Sequence, residues 1–123
     1  MPQQQRLIAV IDDDESFCTA LTGLLRSLGY RTRGFPSADA FLSSDAIGSC
    51  DCIISDIHLP GLSGIDLKER LAAMESPVPM IMVTGRNEPG LQNQASKSGA
   101  ICLLRKPLRT KALIDCLKEA LDN

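Results

Sequence analysis

Short apolar runs separated by helical patterns are the feature that most constrains how this chain can fold. Three of the runs are continuously apolar and partly β-branched, which is typical of strands covered on both faces of a sheet, and they span residues 7–11, 52–54 and 80–83. Residues 101–104 form a fourth such run, and residues 31–35, which include two arginines, are typical of an edge strand. The sequence therefore predicts five strands.

Helical periodicity fills the segments between these runs. The first segment ends at Gly29, a common helix stop, and its apolar residues recur at three-and-four spacing. These residues are Phe17, Ala20, Leu21, Leu24, Leu25 and Leu28. Three later helices are expected where a hydroxyl side chain can cap the first turn, at Ser37, Ser63 and Thr110. Residues 88–98 carry only Leu91 and Ala95 on an apolar stripe, so we expect a labile helix there.

Strict alternation of strand and helix predicts a parallel sheet with right-handed crossovers and helices on both faces. Two doubly wound strand orders are compatible with this pattern. Five strands in a chain of 123 residues favour the flavodoxin-like order 2-1-3-4-5. We therefore expect an α/β fold, a flavodoxin-like doubly wound five-stranded parallel sheet with five helices, whose binding site forms at the carboxyl ends of strands 1 and 3.

Composition bounds the class of protein. With 123 residues, of which 44% are apolar, we expect one domain over residues 1–123, with residues 1–5 as a loose tail. The net charge of −2 argues against direct nucleic-acid binding. The longest aliphatic run, residues 7–11, is far shorter than the ~18 residues that suggest a membrane span.

The five cysteines are odd in number and scattered through apolar segments. This pattern argues against a disulfide framework and predicts a cytoplasmic protein. Cys50 and Cys52 have a single residue between them and no second cysteine pair nearby, so we interpret them as small buried side chains and not as metal ligands.

Acidic residues follow two neighbouring strands of the predicted sheet. Asp12 and Asp13 come directly after the first strand, and Asp56 follows the third. We expect their three carboxylates to converge on one crevice, where like charges repel unless a cation is bound. Oxygen-only ligands with room for water are what Mg²⁺ prefers, so the sequence predicts a magnesium site.

A hydroxyl and an ammonium group follow the other two strands of the same sheet edge. The fourth strand ends in Thr84, and the fifth is followed by Lys106 and Pro107. Each residue alone has an ordinary structural explanation. Together with the carboxylates, however, they indicate a site for a phosphoryl group.

At this point the chain resembles the receiver domain of two-component response regulators, over residues 7–121. Four motifs carry the resemblance, and they are the acidic pair after Val10-Ile11, the block Ser-Asp-Ile-His-Leu-Pro-Gly-Leu-Ser-Gly at residues 55–64, Val83-Thr84-Gly85, and Lys106-Pro107. The segment at residues 36–42 is similar to FixJ-type regulators.

The resemblance implies phosphorelay signal transduction. Asp56 would be the phosphoacceptor, taking a phosphoryl group from a histidine of a sensor histidine kinase or of a phosphotransfer protein. Lys106 would pair with the phosphoryl oxygens and Thr84 would hydrogen-bond one of them, which neutralises charge in the transition state. Such a domain is not an enzyme, beyond its own phosphorylation and slow dephosphorylation.

The resemblance also implies a ligand set for Mg²⁺. Asp13, Asp56 and the backbone carbonyl of His58 would bind the ion directly, and Asp12 would act through a water. The His58 side chain is not needed for this, and we expect it to face solvent. Arg86 is expected to be a solvated loop residue.

The FixJ-like features imply an output. Regulators of that type carry a DNA-binding domain after the receiver, so we expect transcription control through an attached or partner module, together with a phosphorylation-dependent homodimer. Receivers commonly have an aromatic residue where this chain has Leu103. The expected switch is therefore Thr84 moving with the 85–90 loop and the labile helix that follows.

Two alternatives stay open from the sequence. A degenerate receiver would act only as a protein-binding module, which the complete acceptor set argues against. A Mg²⁺-dependent phosphohydrolase of another doubly wound class usually has a second acid two residues after its nucleophilic aspartate, and that position here is His58.

Overall fold

Five parallel strands form one sheet in the order β2-β1-β3-β4-β5 in the computed structural model, which describes residues 6–121. The strands are β1 (Leu7–Ile11), β2 (Arg31–Phe35), β3 (Cys52–Asp56), β4 (Met80–Thr84) and β5 (Cys102–Arg105). Every residue of the three central strands is buried, as expected for strands covered on both faces. The predicted flavodoxin-like order is confirmed, while the expected loose tail at residues 1–5 lies outside the described residues.

All five predicted helices are present. They are α1 (Glu15–Ser27), α2 (Ala38–Leu42), α3 (Gly64–Ala73), α4 (Leu91–Ser98) and α5 (Thr110–Leu121), with a 3₁₀ turn at Ala46–Gly48. Across residues 6–121, no helix combines the length and the apolar character that crossing a membrane requires.

Alternate residues of each central strand point to opposite faces of the sheet, and each face has its own core. In β1, Ala9 and Ile11 pack with α2, α3 and α4 on one face, whereas Ile8 and Val10 pack with α1 and α5 on the other. This arrangement leaves the carboxyl ends of the strands free to carry a site.

The two edge strands are the most exposed part of the sheet. Arg31 and Arg33 of β2 are exposed, and Arg105 is exposed at the end of β5. The Arg33 guanidinium forms an ion pair with Asp45 at 2.7 Å and lies over the Phe35 ring. The prediction that residues 31–35 form an edge strand is confirmed.

Two of the three predicted caps are confirmed. The hydroxyl of Ser37 accepts a hydrogen bond from the Ala40 amide at 3.0 Å. Ser63 and Asp66 form a reciprocal capping box, in which each side chain accepts a hydrogen bond from the other residue's amide. The third prediction is wrong, because α5 begins at Thr110 itself and its first hydrogen bond runs from the Leu113 amide to the Arg109 carbonyl.

The labile helix is shorter than predicted. It begins at Leu91 and not at residue 88, because Gly90 has a left-handed backbone with φ of 88°, which a right-handed helix cannot include. The amide of Leu91 donates to the Glu88 carbonyl at a long distance of 3.4 Å. The buried residues of α4 are Leu91 and Ala95, as the sequence predicts.

All five cysteines are free thiols. Cys50 and Cys52 are buried, which confirms their interpretation as small core side chains. Burial raises the pKa of the Cys50 thiol to about 11 and that of the Cys52 thiol to about 12.

Candidate functional site

Three carboxylates meet at the carboxyl edge of β1 and β3. Asp12 and Asp13 follow β1. Asp56 is the last residue of β3, whereas the sequence pattern predicts that it follows the strand. One oxygen from each carboxylate lies within 4.8 Å of the others. Asp12 and Asp56 are buried and Asp13 is exposed, so the cluster opens to solvent on the side of Asp13.

Lys106 brings a positive charge into this cluster from the loop after β5. Its Nζ lies 2.9 Å from Asp56 Oδ2 and 3.0 Å from Asp12 Oδ2. Burial works to lower the pKa of Lys106, but the attraction of the Asp56 and Asp12 carboxylates outweighs it, so the pKa is raised. The carboxylates, which have no basic neighbour in the sequence, are thus partly neutralised by the fold.

Asp12 has one well-bonded oxygen and one that is not. Its Oδ1 accepts a hydrogen bond from the Asp14 amide at 2.8 Å. Its buried Oδ2 lies 3.0 Å from the Lys106 ammonium as an ion pair, but within residues 6–121 no donor meets it with hydrogen-bond geometry. Burial raises the pKa of Asp12, and the Asp14 hydrogen bond opposes this shift.

These donors fit a hard divalent cation. The cluster offers only oxygen ligands, one of which is a buried carboxylate oxygen that lacks a directed donor. A hard cation, or a water bound to it, would satisfy that oxygen and offset the repulsion among the three acids. Mg²⁺ suits such a set because it takes oxygen ligands and keeps several waters.

Asp56 is held from both sides of its carboxylate. Oδ1 accepts a hydrogen bond from the His58 amide at 2.8 Å, and Oδ2 accepts one from Lys106. Its backbone is in contact with the start of α3, where a Cβ on Gly64 would lie 2.6 Å from the Asp56 carbonyl oxygen. The Gly64 amide also donates to the Ile57 carbonyl at 2.9 Å. The position of Asp56 therefore depends on α3 as well as on β3.

Thr84 ends β4 and is buried at the same edge of the sheet. Its hydroxyl oxygen accepts a hydrogen bond from the Arg86 amide at 3.0 Å and lies 3.5 Å from His58 Nδ1. The hydroxyl is thus bonded to the loop that leads to α4. Arg86 itself is exposed, as predicted, and lies 3.6 Å from a Glu88 oxygen.

The His58 ring is partly buried, which differs from the expected position facing solvent. The side chain is 23% exposed, with Nδ1 4.0 Å from Asp56 Oδ1 and Nε2 3.3 Å from Glu88 Oε1. The ring therefore lies between Asp56 and the loop after β4. In the sequence, an acid four residues after Thr84 is the signal that could have indicated a partner for the ring.

Phe17 is a second residue of the site that the sequence pattern does not reveal. Its periodicity marks it as a core residue of α1, yet Lys106 Nζ lies 4.2 Å from the centre of its ring. A charge at this distance over a ring is a cation–π contact. Phe17 comes four residues after Asp13, in the first turn of α1, and this is the signal that places it near the site.

The surface beside Asp56 is an open groove. It has a volume of about 530 Å³ and runs between the loop after β3 and the start of α4, lined by Asp13, His58, Pro60, Glu88 and Leu91 among others. A smaller cavity of about 110 Å³ is lined by Thr84, Leu91 and Leu103. Leu103 therefore lies next to Thr84, at the position where the family resemblance leads one to expect an aromatic ring.

Comparisons with known proteins identify the family of this chain. Residues 8–118 match the response regulator receiver domain family. The chain is 36% identical over 121 residues to the response regulator protein TmoT of Ectopseudomonas mendocina, covering 98% of this chain and 55% of that protein. It is 38% identical over 114 residues to the transcriptional regulatory protein FixJ of Bradyrhizobium diazoefficiens, covering 93% of this chain and 56% of that protein. The chain thus spans about half the length of the curated relatives that it matches.

Solved structures of response regulators have the same fold. The response regulator StyR is 34% identical and superposes with a TM-score of 0.88, covering 96% of this chain and 60% of that one. Because the family match extends over nearly the whole chain and the fold agrees, the chain belongs to the receiver domains of response regulators, the signalling domains of two-component systems.

Proposed function

We propose that this chain is a Mg²⁺-dependent phosphoacceptor, and that Asp56 takes a phosphoryl group from a phosphohistidine on a sensor histidine kinase or a phosphotransfer protein. The observation that carries the proposal is the environment of Asp56. Its carboxylate is nearly buried, is held by Lys106 and the His58 amide, and lies beside two further carboxylates. Phosphoryl transfer needs such positioning and charge neutralisation more than covalent assistance.

In the proposed reaction, an oxygen of Asp56 attacks the phosphorus of the phosphohistidine. The new P–O bond forms as the P–N bond breaks, and the electron pair of that bond stays on the imidazole nitrogen of the donor. Lys106 is already 2.9 Å from Asp56 and would pair with the phosphoryl oxygens as negative charge develops. Thr84, at the neighbouring strand end, would hydrogen-bond one of them.

We assign the metal site to the same edge of the sheet. Asp13, Asp56 and the backbone carbonyl of His58 would hold Mg²⁺ directly, and Asp12 would hold it through a water. When bound, the ion supplies neutralisation of the charge on the acceptor and the incoming phosphoryl group. The buried Asp12 oxygen without a directed donor supports this assignment.

The response would pass through Thr84 and the loop at residues 85–90 to α4. A phosphoryl group adds ~1.5 to 2 negative charges and acceptor oxygens, towards which the Thr84 hydroxyl would move together with the Arg86 amide that is bonded to it. Leu103 cannot act as an aromatic gate, and the cavity of about 110 Å³ between it and Thr84 leaves room for the loop to repack.

The proposed outcome is phosphorylation-dependent homodimerisation that controls transcription through an attached or partner output module. The relatives that match this chain are about twice its length and include a transcriptional regulatory protein. Residues 1–123 would then form one receiver domain that contacts no nucleic acid itself.

Labelling with acetyl phosphate, a small phosphoryl donor, tests the proposal. We expect intact mass to show one added phosphoryl group in the presence of Mg²⁺, and peptide mapping to place it on Asp56. Asp56→Asn and treatment with EDTA should each abolish labelling, whereas Asp115→Asn, which removes an exposed acid of α5, should not. Equal labelling in EDTA, or label remaining on the Asp56→Asn protein, would contradict the proposal.

Sedimentation tests the proposed self-association. Beryllofluoride with Mg²⁺ mimics a phosphoryl group on a carboxylate, so it should convert the wild type towards a dimer and leave the Asp56→Asn protein unchanged. A treated wild type that stays monomeric would refute the homodimer but not phosphorylation.

A further inference from the structure

The ammonium group of Lys106 contacts an aromatic ring as well as two carboxylates. Its ammonium contacts the carboxylates of Asp12 and Asp56, and on another side it lies 4.2 Å from the centre of the Phe17 ring. With these three contacts, the lysine side chain is only 20% exposed. Although the lysine side chain is long and flexible, these contacts restrict the position of its ammonium group.

The ring of Phe17 is placed by the start of α1. The Asp14 side chain accepts a hydrogen bond from the Phe17 amide at 3.1 Å, which fixes the first helical turn at this residue. Side chains on a helix lean towards its N-terminus. Since α1 begins at the carboxyl edge of β1, the ring leans towards the acceptor and not away from it.

The three contacts differ in how they respond to chemistry. Phosphorylation converts the Asp56 carboxylate into an acyl phosphate, and any cation bound between Asp12 and Asp56 competes with the ammonium for their oxygens. The face of an aromatic ring attracts an ammonium group through its own charge distribution, which neither event alters. Phe17 is thus the neighbour of Lys106 whose attraction stays constant throughout the reaction.

We propose that Phe17 is a positioning residue for phosphoryl transfer, which acts through Lys106 by holding its ammonium beside Asp56 while the carboxylates change partners. This inference rests on the proposed function, because it assigns to Lys106 the phosphoryl contact described above. It adds a residue of α1 to the machinery, from a position that the sequence marks only as hydrophobic core.

A fluorination series at Phe17 tests the role of the ring. Successive fluorines on the ring weaken its attraction for a cation while changing its shape little. With one, two and three fluorines, we expect the rate of Asp56 labelling by acetyl phosphate to fall progressively, by about three- to tenfold overall. Phe17→Leu keeps an apolar side chain but removes the ring, so its labelling rate should fall by a similar factor. Leu24→Ala, a partly buried residue of the same helix and core, should keep the wild-type rate.

A second readout needs no phosphorylation. The ring should shift the NMR signals of the Lys106 ε-methylene protons upfield in the wild type, and Phe17→Leu should abolish that shift. Absence of the shift, or a labelling rate that is flat across the fluorinated series, would overturn the inference. A wild type that is not labelled at Asp56 at all would overturn the proposed function, and with it this inference, whereas labelling with a flat series would overturn the inference alone.

Discussion

The helices α3 and α4 follow neighbouring strands and pack on the same face of the sheet, yet they begin in opposite ways. α3 begins with the capping box of Ser63 and Asp66, and its first residue, Gly64, lies against the backbone of Asp56. α4 begins at a left-handed glycine after Pro89, with a 3.4 Å hydrogen bond at its first residue.

The difference between the two helix starts indicates which region is rigid and which can move. Asp56 is supported by a helix that begins with a capping box and packs closely against its backbone. The loop that carries Thr84 leads to a helix of eight residues with two buried side chains. Regions with few apolar contacts open at low free energy, so the loop after Thr84 can move while Asp56 stays in place.

Gly64→Ala should disrupt the contact between α3 and Asp56, and we expect it to reduce stability more than any other change proposed below. A Cβ at this position would lie 2.6 Å from the Asp56 carbonyl oxygen and 3.1 Å from Ile57 Cα, both of them backbone atoms that cannot turn aside. We expect unfolding in urea to show a loss of about 2 to 3 kcal/mol. Gly48→Ala, where the added Cβ meets nothing within 4 Å, is the control and should stay near the wild type. Equal stability of the two variants would show that α3 does not support the acceptor.

Amide hydrogen exchange measures the comparison directly. We expect the amides of α4 to exchange about tenfold faster than those of α3, because α4 lacks the N-terminal capping that α3 has. Matched buried positions, such as Leu67 in α3 and Ala95 in α4, allow the comparison without differences in exposure. Similar exchange rates at Leu67 and Ala95 would contradict the expected difference in stability between α3 and α4.

Ser63→Ala should make α3 more like α4. The change deletes one half of the capping box and should cost about 1 kcal/mol in the free energy of unfolding. Exchange within the first turn of α3 should accelerate as well. Ser96→Ala, at an exposed position within α4, is the control and should change stability by less than about 0.5 kcal/mol.

Glu88→Gln tests the side-chain contact between the two regions, and should have the smallest effect on stability. Glu88 Oε1 lies 3.3 Å from His58 Nε2. This contact joins the loop before α4 to the loop that follows Asp56. A half-exposed pair of this kind contributes less than about 1 kcal/mol, so global stability should hardly change. Exchange at residues 85–91 should nevertheless accelerate, while Glu69→Gln, at an exposed residue of α3, should leave it unchanged. An unaltered 85–91 loop would show that the His58 contact does not restrain it.

The sequence predicts those features that depend on periodicity and topology. Alternating strands and helices indicate the sheet order, and the sheet order brings Asp12, Asp13 and Asp56 to one edge. Thr84 and Lys106 follow by the same reasoning, because the carboxyl ends of parallel strands share an edge. None of these predictions requires knowing where a side chain points.

The features that the sequence does not predict depend on side-chain direction or on close approach. The contact of Phe17 with Lys106 and that of His58 with Glu88 each join residues far apart in the chain. Gly64 has an ordinary place at a helix start, and its contact with Asp56 exists only in three dimensions. The starts of α4 and α5 differ from prediction because backbone conformation, not residue type, decides where a helix begins.

The arginines on the edge strands have a consequence for the behaviour of the protein at high concentration. An open sheet ends in two rows of backbone groups that could pair with a strand of another molecule and begin aggregation. A second copy approaching β2 in this way would bring its own Arg31 and Arg33 towards the same residues here, and the end of β5 carries Arg105. Although the ion pair with Asp45 offsets part of the Arg33 charge, the arginines of the edge strands disfavour strand addition. The protein should therefore aggregate less when it is concentrated at low salt than when salt screens these charges.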